Sequence, residues 1–148
     1  MPSQPSGFNE MSIRRFFDEV FVKGKVKMID ELVDPKFIEH EVLPGIPPTR
    51  EGLKQFVTQL RTAFPDLKAT IADITSQGDK VWARATFTGT HKGTFMQIPA
   101  TGKKVAFEAI DVVRFSGGKS VEHWGLTDGL GLLTQLGAIP PPGQSRGR

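Results

Sequence analysis

The chain contains no cysteine and no tyrosine, and no apolar run approaches the length of a membrane span. Without thiols, disulfides and thiolate metal sites are excluded, and nothing calls for an oxidising compartment. A spanning helix needs about 18 consecutive apolar residues, so a transmembrane helix is not expected. Met1-Pro2-Ser3-Gln4-Pro5-Ser6-Gly7 lacks the hydrophobic core of a secretion signal, which points to a soluble cytoplasmic protein. Excess charge is also scarce: the formal net charge is +3, and Arg146 and Arg148 supply two of those units. With no clustered basic face, neither nucleic acid nor membrane is an expected partner.

What is present fits one domain. A chain of 148 residues buries a sizeable core without staples. Residues 1–7 and 140–148 are rich in Pro, Gly, Ser and Gln and read as mobile tails around a domain of residues 8–139. Asn9 or Ser12 is placed to cap a helix reaching Val22, with Ile13, Phe16, Phe17, Val20 and Phe21 as its apolar stripe and Gly24 as its end. A short helix from Val26 to Leu32 stops before Asp34-Pro35, because the residue before proline disfavours helical geometry. Phe37 to Val42 reads as extended, and Pro44-Gly45-Ile46-Pro47-Pro48 as a loop. Thr49 is placed to cap a third helix, Arg50 to Ala63, carrying Leu53, Phe56, Val57 and Leu60 at helical spacing and stopped by Pro65.

From Lys68 onward the pattern changes to period two. Val81, Ala83, Ala85 and Phe87 oppose Trp82, Arg84, Thr86 and Thr88. In Lys104 to Phe115 an apolar row of Phe107, Ala109, Val113 and Phe115 is interrupted by Asp111. Gly117-Gly118 provides a hairpin turn, and Ser120 to Leu126 returns with Glu122, Trp124 and Leu126 on one face and His123 on the other. Helices followed by an antiparallel meander define an α+β architecture, with a curved sheet wrapped around N-terminal helices. Such a cone is closed by side chains at one end and can hold a ligand at the other.

Several short segments in order carry a resemblance. Phe37-Ile38-Glu39-His40, Arg50-Glu51-Gly52-Leu53, Ala63-Phe64-Pro65-Asp66-Leu67, Gly78-Asp79-Lys80-Val81, Gly89-Thr90-His91-Lys92-Gly93, Glu122-His123-Trp124 with Asp128, and Gln135-Leu136-Gly137 together resemble the SnoaL-like polyketide cyclases, or ester cyclases. The likeness spans roughly residues 10 to 138 and implies the nuclear transport factor 2-like cone. It further implies a cofactor-independent enzyme of lyase or isomerase type, closing a ring by an aldol step or a related isomerisation on a hydrophobic carbonyl compound, with no metal. An epoxide hydrolase or dehydratase on the same cone, and a non-catalytic lipophile-binding or assembly module, are the alternatives.

An aldol closure needs a base for an acidic C–H, a donor to the attacked carbonyl and a dry pocket. The resemblance gives the acid/base role to Asp128, which as the residue before Gly129 is equally placed to cap the segment that follows. His40 is the second catalytic candidate, or else it ties down the proline loop. If the last strand runs straight on, Trp124 shares the direction of Asp128 and walls the cavity. Arg84, beside Trp82, either meets the ligand or pairs with Asp111 or Glu108. Asp111, Trp82, Phe56, Phe64 and His91 complete the candidate substrate wall, although His91 also suits a purely structural loop role. His123, alternating with Trp124, is then expected on the opposite side of the sheet, and the three histidines have no ligand spacing for a metal. The eleven phenylalanines can equally fill the cone. Apolar residues on both faces of the sheet call for cover by a second copy, a homodimer.

Overall fold

A computed structural model describes residues 6–141 and 143; most of both expected tails lies outside these residues. Helix α1 (Ser6–Arg15) runs without a break into a π-helical stretch, Phe16–Val22. Asn9 and Ser12 are therefore buried inside the helix instead of capping it. The end falls where Gly24 adopts φ 72°, a left-handed geometry that glycine takes without a Cβ penalty. A 3-10 turn at Val26–Met28 leads into α2 (Ile29–Leu32) and then β1 (Val33–Glu39). The strand begins four residues earlier than the apolar pattern suggested and contains Pro35, which is tolerated because β1 lies at the sheet edge. Helix α3 (Arg50–Ala63) starts as expected, with the Thr49 hydroxyl accepting the Gly52 N–H at 3.2 Å.

Strands β2 (Lys68–Gln77), β3 (Lys80–Thr90), β4 (Lys104–Ser116) and β5 (Lys119–Thr127) follow, and α4 (Gly129–Gln135) closes the described fold. The sheet order is β1-β5-β4-β3-β2, antiparallel except for the parallel β1/β5 pair. Gly117 and Gly118 both take positive φ, the geometry of a tight type I′ hairpin. Just beyond it the register shifts: Phe115 pairs with Ser120, but Arg114 pairs with Glu122, so Val121 is an extra, bulged residue.

Every helix sits on the concave side of the sheet or at its rim. The α1/π segment packs on β2 and β3, α3 on β1, and α4 on β4. One apolar cluster joins Phe17, Leu60, Phe64, Phe87, Phe107 and Phe115; a second joins Val20, Ile29, Leu32, Val33, Phe37 and Val57 under β1. Among the described residues, the convex face has no such cover. Trp82, Ile110 and Ile38 are about half exposed there and Leu126 is 80% exposed. Among the described residues, no helix is long and apolar enough to cross a membrane.

Candidate active site

The concave side encloses a cavity of about 320 Å³. Phe16, Phe17, Phe21, Phe37, Phe56, Phe87, Phe95 and Phe107 form much of its wall. The rings stack against one another at the side: Phe21 meets Phe17 and Phe87 edge-on at 5.3 and 5.2 Å, and Phe87 stacks on Phe107 at 5.3 Å. They surround the space instead of filling it. The π-helical turn widens the backbone where three of these rings leave it, a distortion that recurs at ligand sites.

Among the described residues the ionisable lining of this apolar wall is confined to one corner: Glu39, Glu41, Asp111 and His123. Parallel pairing puts Glu39 beside His123, and antiparallel pairing puts Val113 opposite His123 and Asp111 opposite Gly125. His123 Nδ1–H donates to Glu39 Oε1 at 2.5 Å, and Nε2–H donates to Asp111 Oδ1 at 2.7 Å. Desolvation disfavours the imidazolium, but the hydrogen bonds to Asp111 and Glu39 and their charges outweigh it, pushing the His123 pKa up to about 10. Glu41 accepts from the Thr127 hydroxyl at 3.0 Å. Burial is the largest influence on its carboxyl and raises it above the usual carboxylate range, with Asp111 and Glu39 adding to the shift and His123 and Thr127 opposing it.

The corner closes because residue 125 has no side chain. A Cβ there would lie 2.6 Å from Glu41 Oε1, 2.7 Å from His123 Cε1 and 3.0 Å from Asp111 Oδ1. Glu41, Asp111 and His123 bring possible ligand atoms within 4.8 Å of one another, so they are the described residues best placed to hold a cation. While both ring nitrogens carry protons, His123 has no lone pair to offer one.

Asp111 and Phe56 thus lie in the wall, as expected. The other candidates do not. Asp128 is exposed, and its carboxylate caps α4, accepting the Gly131 N–H at 2.9 Å. The capping geometry, not the cavity, determines its direction. Trp124 faces outward because the bulge at Val121 reverses the expected parity, and for the same reason His123 faces inward. His40 is outside too: its ring stacks on Trp124 at 4.8 Å and its Nε2 meets Glu122 at 2.8 Å. Arg84 pairs on the convex face with Asp73 at 2.7 Å and Glu108 at 3.1 Å, next to half-exposed Trp82. Phe64 is fully buried core, against Phe95 and His91. His91 is also fully buried, and its Nδ1 accepts the Thr101 N–H at 3.2 Å within the β3–β4 connection, the structural role left open for it.

Glu39, Glu41, His123 and Gly125 were missed. Glu39 and Glu41 flank His40 at period two, so once His40 is outside they share the inner face. That signal was available. The parity of β5 was not, because nothing in Ser120-Val121-Glu122 announces a bulge.

A five-stranded curved sheet wrapped around its helices is the nuclear transport factor 2-like cone. The sequence profile described as SnoaL-like polyketide cyclase matches residues 11–136, and the chain belongs to that family. It is 29% identical to the aklanonic acid methyl ester cyclase DnrD of Streptomyces peucetius, over 86% of this chain and 90% of that one. Identity to the nogalonic acid methyl ester cyclase of Streptomyces nogalater is 26%, over 79% and 89%. Among solved structures, TsrD of Streptomyces laurentii superposes with a TM-score of 0.85 at 27% identity, covering 93% of this chain and all (100%) of that one. A provisionally assigned polyketide cyclase of Bacillus cereus gives 0.78 at 36% identity, covering 89% and 82%.

Proposed function

We propose that the protein is a cyclase-type enzyme performing general acid/base chemistry, an aldol-type ring closure or a related isomerisation, on a hydrophobic carbonyl compound held in the cavity. The observation that carries this reading is the confinement of all ionisable lining to one corner of an otherwise apolar wall. Such a corner can take a proton from the carbon beside a carbonyl and return one to the alkoxide formed on closure, while the phenylalanine wall excludes water. The fixed imidazolium of His123 lowers the cost of negative charge developing beside it. Ester cyclases among the relatives agree with a substrate of this kind.

The test uses ethyl 2-methylacetoacetate, whose single C–H between two carbonyls exchanges in D₂O. The protein is expected to accelerate that exchange saturably, and 1-octanol, an inert occupant of the apolar wall, to inhibit it competitively. Exchange that octanol leaves untouched places the chemistry outside the cavity and overturns the reading.

We also propose that the convex face pairs with a second copy. Trp82, Val112 and Trp124 form one row across three strands, and Ile110 and Leu126 lie in the next. At one end Lys80 and Arg114 outnumber Glu122; at the other Asp73 and Glu108 outnumber Arg84. The ends are about 20 Å apart at ~3.3 Å per residue. A twofold axis through the apolar rows therefore sets each basic end on an acidic one. Sedimentation at micromolar concentration is expected to give a dimer that Trp82→Glu dissociates; a monomeric wild-type mass overturns the pairing.

A further inference from the structure

The resemblance assigns proton transfer to Asp128, but the geometry points elsewhere. Of the four ionisable groups in the corner, three are committed to one another. His123 spends both N–H groups, on Glu39 and Asp111. Glu39 Oε1 accepts from His123 and also from the Glu41 backbone N–H at 2.9 Å. Asp111 Oδ1 is held by His123. An imidazolium clamped at both nitrogens can neither remove a proton nor give one up cheaply, because either act breaks a charge-assisted bond.

Glu41 differs. It has no ion-pair partner among the described residues, and its hydrogen bond is from a neutral hydroxyl, Thr127 to Oε2. Its Oε1 accepts no side-chain hydrogen bond among the described residues and lies over the bare backbone of Gly125, where a Cβ would come within 2.6 Å. It lines both the main cavity and the small side pocket beneath Pro47 and Pro48. One oxygen is thus left free at the cavity wall, beside the protonated His123 and on a carboxylate that, unlike those of Glu39 and Asp111, no imidazolium N–H holds. Burial holds the carboxyl above the usual carboxylate range, which brings its gain and loss of a proton closer to neutrality.

We infer that Glu41 is the catalytic residue that carries the proton, that His123 is a positioning residue supplying a fixed counter-charge, and that Gly125 provides the opening in which they meet. This rests on the proposed acid/base function and names the group that performs it. In the forward sense, ionised Glu41 takes the proton from the carbon beside the carbonyl and the electron pair forms the new C–C bond. The same proton then passes from Glu41 to the resulting alkoxide, so the carboxylate is regenerated and no co-reactant is needed. The groups facing Glu41 are His123 and Thr127 from β5, Asp111 from β4 and Glu39 from β1. Of these, His123 and Thr127 favour its ionised form and the two acids disfavour it.

The test follows exchange of ethyl 2-methylacetoacetate by NMR across pH 5–9. Glu41→Gln is expected to slow exchange about 100-fold or more, and Glu41→Asp, which keeps the acid but withdraws it by one methylene, to retain part of the rate. Asp128→Asn is expected to stay within about twofold of wild type. His123→Gln removes a charge that favours ionised Glu41, so the acidic limb of its pH profile should move to higher pH, which a purely structural defect does not do. Loss of exchange in Asp128→Asn with Glu41→Gln unaffected overturns the assignment and leaves the proposed function standing. An unmoved profile in His123→Gln overturns the role of His123. Absence of exchange in the wild-type protein removes both the assignment and the function. Circular dichroism of each variant separates misfolding from loss of chemistry, and Glu41→Asp decides the matter if Glu41→Gln does not fold.

Discussion

The His123 clamp makes a stability prediction in a pH range that is unusually clean in this chain. In the fold the imidazole is raised to about 10 from an ordinary 6.5. Folding therefore favours the protonated ring: its contribution is fully present below pH 6.5 and is lost as pH rises through about 10. At about 1.36 kcal/mol per unit, the gap sets a ceiling of roughly 5 kcal/mol. The ring keeps 16% of its surface exposed, and its charge is shared with two acids. A loss of ~2–3 kcal/mol between pH 7 and 9.5 is accordingly expected, or about 1–2 M in urea midpoint. With no cysteine and no tyrosine, no thiol or phenol titrates in that window. Urea unfolding at half-unit pH steps measures the slope, and His123→Gln should flatten it; any contribution from the α-amino group cancels in the difference. A wild-type midpoint that is constant from pH 7 to 9.5, or an equal slope in the variant, refutes a clamped cation.

Three further substitutions separate the corner from its surroundings. Gly125→Ala places a methyl group against Glu41, His123 and Asp111 and is expected to cost about 1–3 kcal/mol in urea unfolding, with weakened octanol binding by calorimetry. Asp128→Ala removes the cap of α4 and should cost about 1 kcal/mol while leaving octanol affinity unchanged; an affinity loss would return Asp128 to the cavity. Phe64→Ala empties a fully buried ring site and should cost about 3–5 kcal/mol, the largest loss of the three.

Much of the fold was legible because local rules agreed with the tertiary arrangement. Thr49 followed by the stripe of Leu53, Val57 and Leu60 fixed both the start and the buried face of α3. The alternation through Val81 to Phe87 and Phe107 to Phe115 separated the two faces of β3 and β4 and set Asp111 in the inner row, whereas Trp82 and Arg84, expected at the substrate, lie on the convex face. The first helix was less legible: the buried Asn9 and Ser12 mimic caps, and the π-helical stretch departs from 3.6-residue spacing. Of the proposed site, Asp111 and Phe56 were found, whereas the neighbours of Asp111 across the sheet were not.

That failure has one geometric cause. Continuing the Gly117-Gly118 hairpin without interruption pairs Phe115 with Ser120, Val113 with Glu122 and Asp111 with Trp124, which puts the indole in the cavity and His123 outside. The bulge inserts Val121, and every later residue of β5 changes face: Val113 meets His123 and Asp111 meets Gly125. The outcome runs against hydrophobic intuition, since the large indole goes to the convex side while a histidine and a threonine line the wall, with a glycine between them. It is nonetheless the arrangement that the proposed acid/base corner needs. An indole opposite Asp111 would fill the corner, whereas a glycine there leaves room for Glu41 to approach His123. On the outer face the same shift sets Trp124 beside Val112 and Trp82, completing the row proposed to meet a second copy. One extra residue in one strand thus supplies both the polar corner inside and the apolar stripe outside, and neither can be moved without the other.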